Sequence, residues 1–240
     1  MNFVIQIGPL SIPAAPLLWL LGFWIFSETT ERMAKKADLD VKKIINLIYL
    51  SGLIGVIGAR LGYFFQFPAV FLANPLSFIS PRPYLLSIEG GALFGGLAVL
   101  ILAQKWQIPL LKLLDTLAPG LAFWFAAIGL AWHAGGDYIG SPTNLIWGMD
   151  YLGSIRHPVN LYWSVGFGFT GFYAMTTWQE TRSAGDLSLG VGLLGSLAAL
   201  LHSSFLSNPS NQGVSSEQVI IFIGLLFFAV IIFLRNRKSQ

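Results

Sequence analysis

The stretch IINLIYLSGLIGVIGARLGYFFQF, residues 44–67, decides the fold: it runs 24 residues with a single charged side chain, Arg60. A helix rising about 1.5 Å per residue needs about 20 mostly apolar residues to cross the hydrocarbon core of a bilayer. This segment has them. Working outward, comparable runs lie near 10–27, 87–104, 116–134, 159–178, 185–206 and 217–234. The breaks between them carry charge or turn residues: ETTERMAKKADLDVKK, the proline-rich FISPRPY, QKWQIPLLK, QETRSAGD and SNPSNQGVSSE. One break, the loop 135–158, is long enough to build a surface of its own. Composition agrees, with 55% hydrophobic and 10% charged residues, where a water-facing domain carries about 25% charged. The expected fold is an all-α integral membrane protein of about seven transmembrane helices in one polytopic domain, residues 1–240. The first apolar run has no basic residue before it and no small-residue cleavage site after it, so it reads as a retained helix.

Lysine and arginine are retained on the cytoplasmic side of a membrane. Eleven fall on one side of these spans: Arg32, Lys35, Lys36, Lys42 and Lys43, then Lys105 and Lys112, Arg182, and finally Arg235, Arg237 and Lys238. Arg82 and Arg156 fall on the other. That bias predicts an outside N-terminus, an external 135–158 loop and a cytoplasmic C-terminus.

Ionisable groups inside a membrane are costly and mark function by default. Arg60 can hold a phosphate or carboxylate with paired hydrogen bonds, or serve as a snorkelling or structural arginine. Glu89 opens the third span, where it can pair with Arg60 or Arg156, act as an acid or base, or simply sit in a first turn that favours negative charge. Gly90, Gly91, Gly95 and Gly96 around it suit close helix approach; without a strand–turn–helix context they are not a dinucleotide fingerprint. Asp115 and Pro119 read as the starting chemistry of the fourth span.

The external loop gathers Asp137, Tyr138, Pro142, Thr143 and Trp147, followed by Arg156, His157, Asn160 and Tyr162. Arg156 and His157 directly precede a span at headgroup level, where an anionic phospholipid can be met and an imidazole can work as a general base. Their structural alternative is an interfacial anchor bonded to loop backbone. His133 and His202 read as helix–helix hydrogen-bonding residues. The three histidines share no metal-ligand spacing, cysteine is absent, and no serine or threonine has a nucleophile context. No metal, cofactor or nucleic-acid partner is expected. A transporter or channel would need a polar path across the midplane, and only scattered polar residues occur, His202 the deepest.

In order along the chain, IGPLSI (7–12), GARLGYFF (58–65), FLANPL (71–76), EGGALFGGL (89–97), LLDTLAPGLA (113–122), GGDYIGSPTNLIWGM (135–149) and RHPVNLY (156–162) resemble the bacterial prolipoprotein diacylglyceryl transferases. The resemblance implies a multi-pass enzyme of the bacterial plasma membrane. Such an enzyme moves the diacylglyceryl group of phosphatidylglycerol to the lipobox cysteine of a prolipoprotein and releases glycerol phosphate. That chemistry needs a thiol from the substrate, a base to ionise it and cations to hold the departing phosphate. The resemblance gives Arg60 and Arg156 the phosphate, His157 the proton, and Glu89, Asp137, Tyr138, Asn160 and Tyr162 supporting places. It implies prolipoprotein signal peptides as partners.

Against the family pattern, however, several polar positions are replaced. Pro13-Ala14-Ala15-Pro16 stands where an arginine, tryptophan, tyrosine and glycine are expected, and Phe94 where a histidine or tyrosine precedes Gly95-Gly96. No arginine occurs between Lys112 and Arg156. Ser196, Leu200 and Ser204 occupy the places of a tyrosine, an arginine and a glutamate; Asn160 replaces a glutamine, and Trp163 follows Leu161-Tyr162 where a glutamate is expected. Two expectations follow: a divergent transferase with a reduced site, or a catalytically inactive relative that binds phospholipid or a membrane partner on the same frame.

Overall fold

The computed structural model describes residues 3–78, 85–151, 153–178, 183–207 and 215–238. Arg82 and Arg182 of the charge count lie outside them, as do most of FISPRPY and SNPSNQGVSSE. Among the described residues the chain is helical apart from two small hairpins. The elements are β1 (Val4–Ile7), β2 (Leu10–Pro13), α1 (Ala14–Lys36), α2 (Val41–Gln66), α3 (Pro68–Ala73), a 3₁₀ turn (Pro75–Phe78), α4 (Ile88–Lys105), α5 (Leu110–Gly135), β3 (Met149–Tyr151), β4 (Ser154–Arg156), α6 (Val159–Thr176), α7 (Asp186–Ser204) and α8 (Ser216–Lys238).

Five of these helices, α2, α4, α5, α7 and α8, are long and apolar enough to cross a membrane. Their outward residues are large and apolar, among them Leu53, Val56, Leu100, Ile101, Ile220 and Ile223. Buried apolar residues are the exception on α8, which has none inside its span. Such surfaces suit lipid, where association rests on close packing. This is an all-α multi-pass membrane protein.

Two compact units divide the chain: Ala34–Leu113, and Met1–Met33 together with Leu114–Gln240. In the first, α2 and α4 pack backbone to backbone. A Cβ on Gly90 would stand 2.5 Å from the Gly58 carbonyl and 2.9 Å from Gly62 Cα, and one on Gly95 would stand 3.4 Å from Gly55 Cα. Gly96 faces open space. The glycines therefore split between an interface and an outward face. Ser87 caps α4 by accepting from Gly90 N at 3.1 Å. It takes a further bond from Gln66 Nε2 (3.1 Å) and donates to Glu89 Oε2 (2.6 Å).

Helix α1, most of which belongs to the second unit, continues through Lys36, well beyond its apolar part. Glu, Arg, Met, Ala and Lys are good helix formers, and Glu28 and Arg32, one turn apart, pair at 3.0 Å. The expected span at 10–27 thus begins in a strand, because Leu10–Pro13 pairs with Val4–Ile7. That hairpin is tied to the end of α5 by Phe3 N donating to Ala134 O at 2.9 Å. Along α1 and α5, a Cβ on Gly120 would stand 2.8 Å from the Phe26 carbonyl, and Phe26 stacks on Trp124 with centroids 5.7 Å apart. Gly166 meets Ala198 between α6 and α7, and Gly192 meets Phe228 between α7 and α8.

Asp115 does not start its own helix, which begins at Leu110. Its buried carboxylate accepts from Gly185 N (2.6 Å) and Ser188 N (2.7 Å), capping α7 from 70 residues away. The local reading failed because α5 opens a turn earlier, which leaves Asp115 on an inward face. At the same end of α7, Arg235 Nε lies 3.4 Å from Asp186 Oδ1 and Nη2 donates to Ala184 O at 2.8 Å.

Gly90→Leu is expected to lower the melting temperature in detergent strongly, because the obstructing atom is backbone and overpacking costs about 1–3 kcal/mol. Gly96→Leu is expected to leave it unchanged, and equal effects at both positions would contradict the interface. Asp115→Ala is expected to cost about 1–2 kcal/mol as a lost helix cap, seen as earlier exchange of the α7 N-terminal amides.

Candidate functional site

The site forms where the chain leaves α5. Asp137 N donates to Trp132 O (2.9 Å), closing the helix, and Tyr138 turns the chain at φ 51°, a conformation uncommon for a residue with a Cβ. Residues 139–143 are then laced between the end of α7 and β4. Ser207 N donates to Ile139 O (2.8 Å) and Ser141 N to Phe205 O (2.8 Å); His157 N donates to Ser141 O (3.0 Å) and Thr143 N to Ile155 O (3.0 Å). The ends of α5 and α7 and the start of α6 are thus bonded together at one end of the unit, beside the β1–β2 hairpin. Gly140 is required here, since a Cβ would run into the His157 carbonyl.

A cleft opens beneath this lacing, lined by Asp137, Tyr138, Arg156, His157 and Asn160 together with His133, Asp150 and Tyr151. Arg156 donates from Nε to Ser154 Oγ (2.7 Å) and from Nη1 to Gly140 O (3.1 Å). Its Nη2 has no partner among the described residues, and no carboxylate there pairs with it. Asn160, 5% exposed in the first turn of α6, donates from Nδ2 to Asp137 O (2.6 Å), while its Oδ1 has no partner among the described residues. Tyr151 Oη donates to Gly136 O at 2.9 Å.

His157 is held by a two-step chain: Trp147 Nε1 donates to Tyr162 Oη (2.9 Å), and that oxygen lies 3.0 Å from His157 Nδ1. A tyrosine has one proton to give. If it goes to Nδ1, the neutral imidazole carries its own proton on Nε2 and presents a donor, suited to an anion. If Nδ1 holds the proton, Nε2 is left as a base.

Five of the residues singled out from sequence line this cleft, and Tyr162 braces it. Arg60 and Glu89 belong to the other unit. There Arg60 is half-buried with Nη1 3.4 Å from Leu85 O, and Glu89 is exposed and bonded to Ser87. Ser154 and Tyr151 went unnoticed in the sequence; a short polar hairpin around a glycine, DYLGS, was the available signal. His202 is 5% exposed, and its ring Nε2 has no hydrogen-bond partner among the described residues. Its ring instead lies among Trp132 (5.9 Å), Tyr138 (5.6 Å) and Trp163 (5.2 Å). Its expected helix–helix hydrogen bond is therefore replaced by aromatic packing, because the facing positions on α5 and α6 are both tryptophan.

The fold and cleft define a multi-pass helical membrane protein with a polar cleft, lined by Arg156, two histidines and two carboxylates, at the joined ends of three helices. Residues 2–234 match the family described as prolipoprotein diacylglyceryl transferase, and the chain belongs to that family. It is 30% identical over 232 residues to the phosphatidylglycerol–prolipoprotein diacylglyceryl transferase of Bordetella parapertussis, covering 92% of this chain and 84% of that protein. The proteins of the same description from Nitrosomonas europaea and Thermus thermophilus are 32% and 30% identical, over 66% and 67% of this chain and 59% and 53% of theirs.

Removing the brace in Tyr162→Phe is expected to turn one dominant neutral tautomer of His157 into a mixture, read from imidazole ¹⁵N shifts. Identical spectra in both proteins would mean that the tyrosine does not set the proton's position.

Proposed function

We propose that the cleft binds the phosphate of an anionic phospholipid, phosphatidylglycerol, and that the chain transfers its diacylglyceryl group to the lipobox cysteine of prolipoproteins. The edge of the Arg156 guanidinium that is left without a partner among the described residues carries this reading. It sits beside His157 at the N-terminal end of α6, where the helix dipole favours an anion, and a guanidinium matches phosphate oxygens in pairs. In the proposed step the substrate thiol gives its proton to the base, for which His157 in its Nδ1–H form is the candidate. The thiolate sulfur then attacks the glyceryl carbon bonded to the phosphate oxygen. A C–S bond forms, that C–O bond breaks, and glycerol phosphate leaves with the electron pair. Charge grows on the leaving oxygens, where Arg156 would act, because a preformed donor aimed at developing charge lowers the barrier. Arg60 is proposed as a phosphate contact within its own unit. Asp137, Tyr138, Asn160 and Tyr162 hold the cleft's shape, and Glu89 supports the start of α4.

Binding without transfer is the second reading, and Phe94 favours it. Its ring packs against Gly58 and offers no proton and no hydrogen bond, and α5 carries no arginine. Both readings place the protein in a bacterial inner membrane. There α1 and α6 are proposed to cross together with the other five long helices, the N-terminal hairpin and 135–158 loop lying outside and the C-terminus in the cytoplasm. The hairpin's bond to Ala134 and the tie of Arg235 to the start of α7 support that arrangement.

Purified protein should retain phosphatidylglycerol in native mass spectrometry. Arg156→Ala should bind it about tenfold or more weakly, since a hydrogen bond to a charged group contributes about 1.5–3 kcal/mol. Transfer onto a lipobox peptide, with an active relative as control, separates the readings: turnover supports the first, retained lipid with no turnover supports the second, and neither property defeats both. For the topology, the absence of native cysteine allows Asn144→Cys and Lys36→Cys to be labelled singly. An impermeant maleimide added outside intact cells should modify only the former.

A further inference from the structure

Residues 139–149 of the loop, IGSPTNLIWGM, contain no charged side chain. Their tip is a β-turn closed by Gly148 N donating to Leu145 O at 2.9 Å, which puts Ile146 and Trp147 at its two central positions. Those positions ordinarily hold Gly, Asn, Asp or Pro. Here Ile146 is 96% exposed, and Leu145 and Trp147 are exposed beside it. Isolated exposed apolar residues need no explanation, but an apolar turn projecting from a polar loop does.

The turn is fixed in position. Trp147 Nε1 bonds Tyr162 Oη in the first turns of α6, and the run leading into the tip is bonded to Phe205 just beyond α7. On α6, Val165, Phe169 and Phe172 follow Tyr162 at three, seven and ten residues, on the same helix face, and all three are exposed. The tip therefore continues an outward apolar stripe past the end of its helix. It does so at the level where α7, one of the five helices able to cross a membrane, ends. The surface at that level is the interface between headgroups and acyl chains, where tryptophan is favoured and apolar side chains can insert a few ångströms.

We propose that the Leu145–Trp147 turn is a membrane-surface wedge, seated in the lipid interface of the same bilayer that its helices occupy. Its partner is the lipid surface rather than a protein. Trp147 then has two duties: its ring lies in the interface and its N–H braces Tyr162 above His157. The wedge does not depend on whether the cleft transfers a lipid group, binds one, or does neither.

Because the chain has no native cysteine, Ile146→Cys gives a single site for a nitroxide label, and the side chain replaced makes almost no contact. Asp150→Cys, exposed on the following strand, is the water-facing comparison, and Leu145→Cys is a second reporter on the tip. In liposomes of phosphatidylethanolamine and phosphatidylglycerol, tip labels should collide readily with oxygen and poorly with a water-soluble nickel chelate. The oxygen-to-nickel ratio should be several-fold above that at 150. Nickel accessibility equal to that at 150 would place the tip in water and overturn the proposal. Protection from both reagents would show a second copy or another protein over the turn, and would overturn it as well.

Discussion

Hydrocarbon offers no partner to a backbone N–H or C=O, and each one left unpaired there costs several kcal/mol. The long helices answer this within themselves, so their sequences need only be apolar. Where the chain leaves a helix near the membrane, the freed groups need partners outside the helix's own ladder, from a neighbouring residue or from another element. At the start of α7 that partner is the carboxylate of Asp115 on α5. At the start of α4 it is Ser87, itself bonded to Gln66 and Glu89. At the end of α5 it is the lacing of residues 139–143 between the segments at 205–207 and 155–157.

The candidate site is a consequence of that last solution. Joining three helix ends through backbone bonds leaves a cleft under the strand-like run, with the side chains of 156–160 along it. Arg156 takes part in the lacing through Gly140 O and Ser154 Oγ, so the two sequence readings of this arginine, loop anchor and phosphate ligand, are compatible. The anchoring bonds use Nε and Nη1 and fix the plane of the group, while Nη2 has no partner among the described residues. His157 is similar. Its place depends on Tyr162 one turn into α6 and, through it, on Trp147 in the loop.

Much of this was legible in sequence because its signals are local. Length and apolarity announced the long helices, and the cluster of polar residues in 135–162 announced a candidate site at one of their ends. The misreadings share a physical cause. Asp115 looked like the cap of its own helix, and His202 looked like a hydrogen-bonding residue, because sequence shows what a side chain can do but not which neighbour it meets. The four glycines of α4 are alike in sequence, yet Gly90, Gly91 and Gly95 meet α2 and Gly96 meets nothing within contact distance.

By itself the sequence determined that this chain is helical, that it lives in a membrane, and that it carries the ordered motifs of a transferase family. Apolar length and residue order are properties of the chain alone. Only the tertiary structure decided which polar groups converge. It brought Asp137, Arg156, His157 and Asn160 to one cleft, bonded Glu89 to Ser87 at the start of α4, and engaged Asp115 across 70 residues with the start of α7. Hydrogen bonds act over about 3 Å, and which atoms come that close is fixed by helix packing and the pairing of loop backbone, not by spacing along the chain.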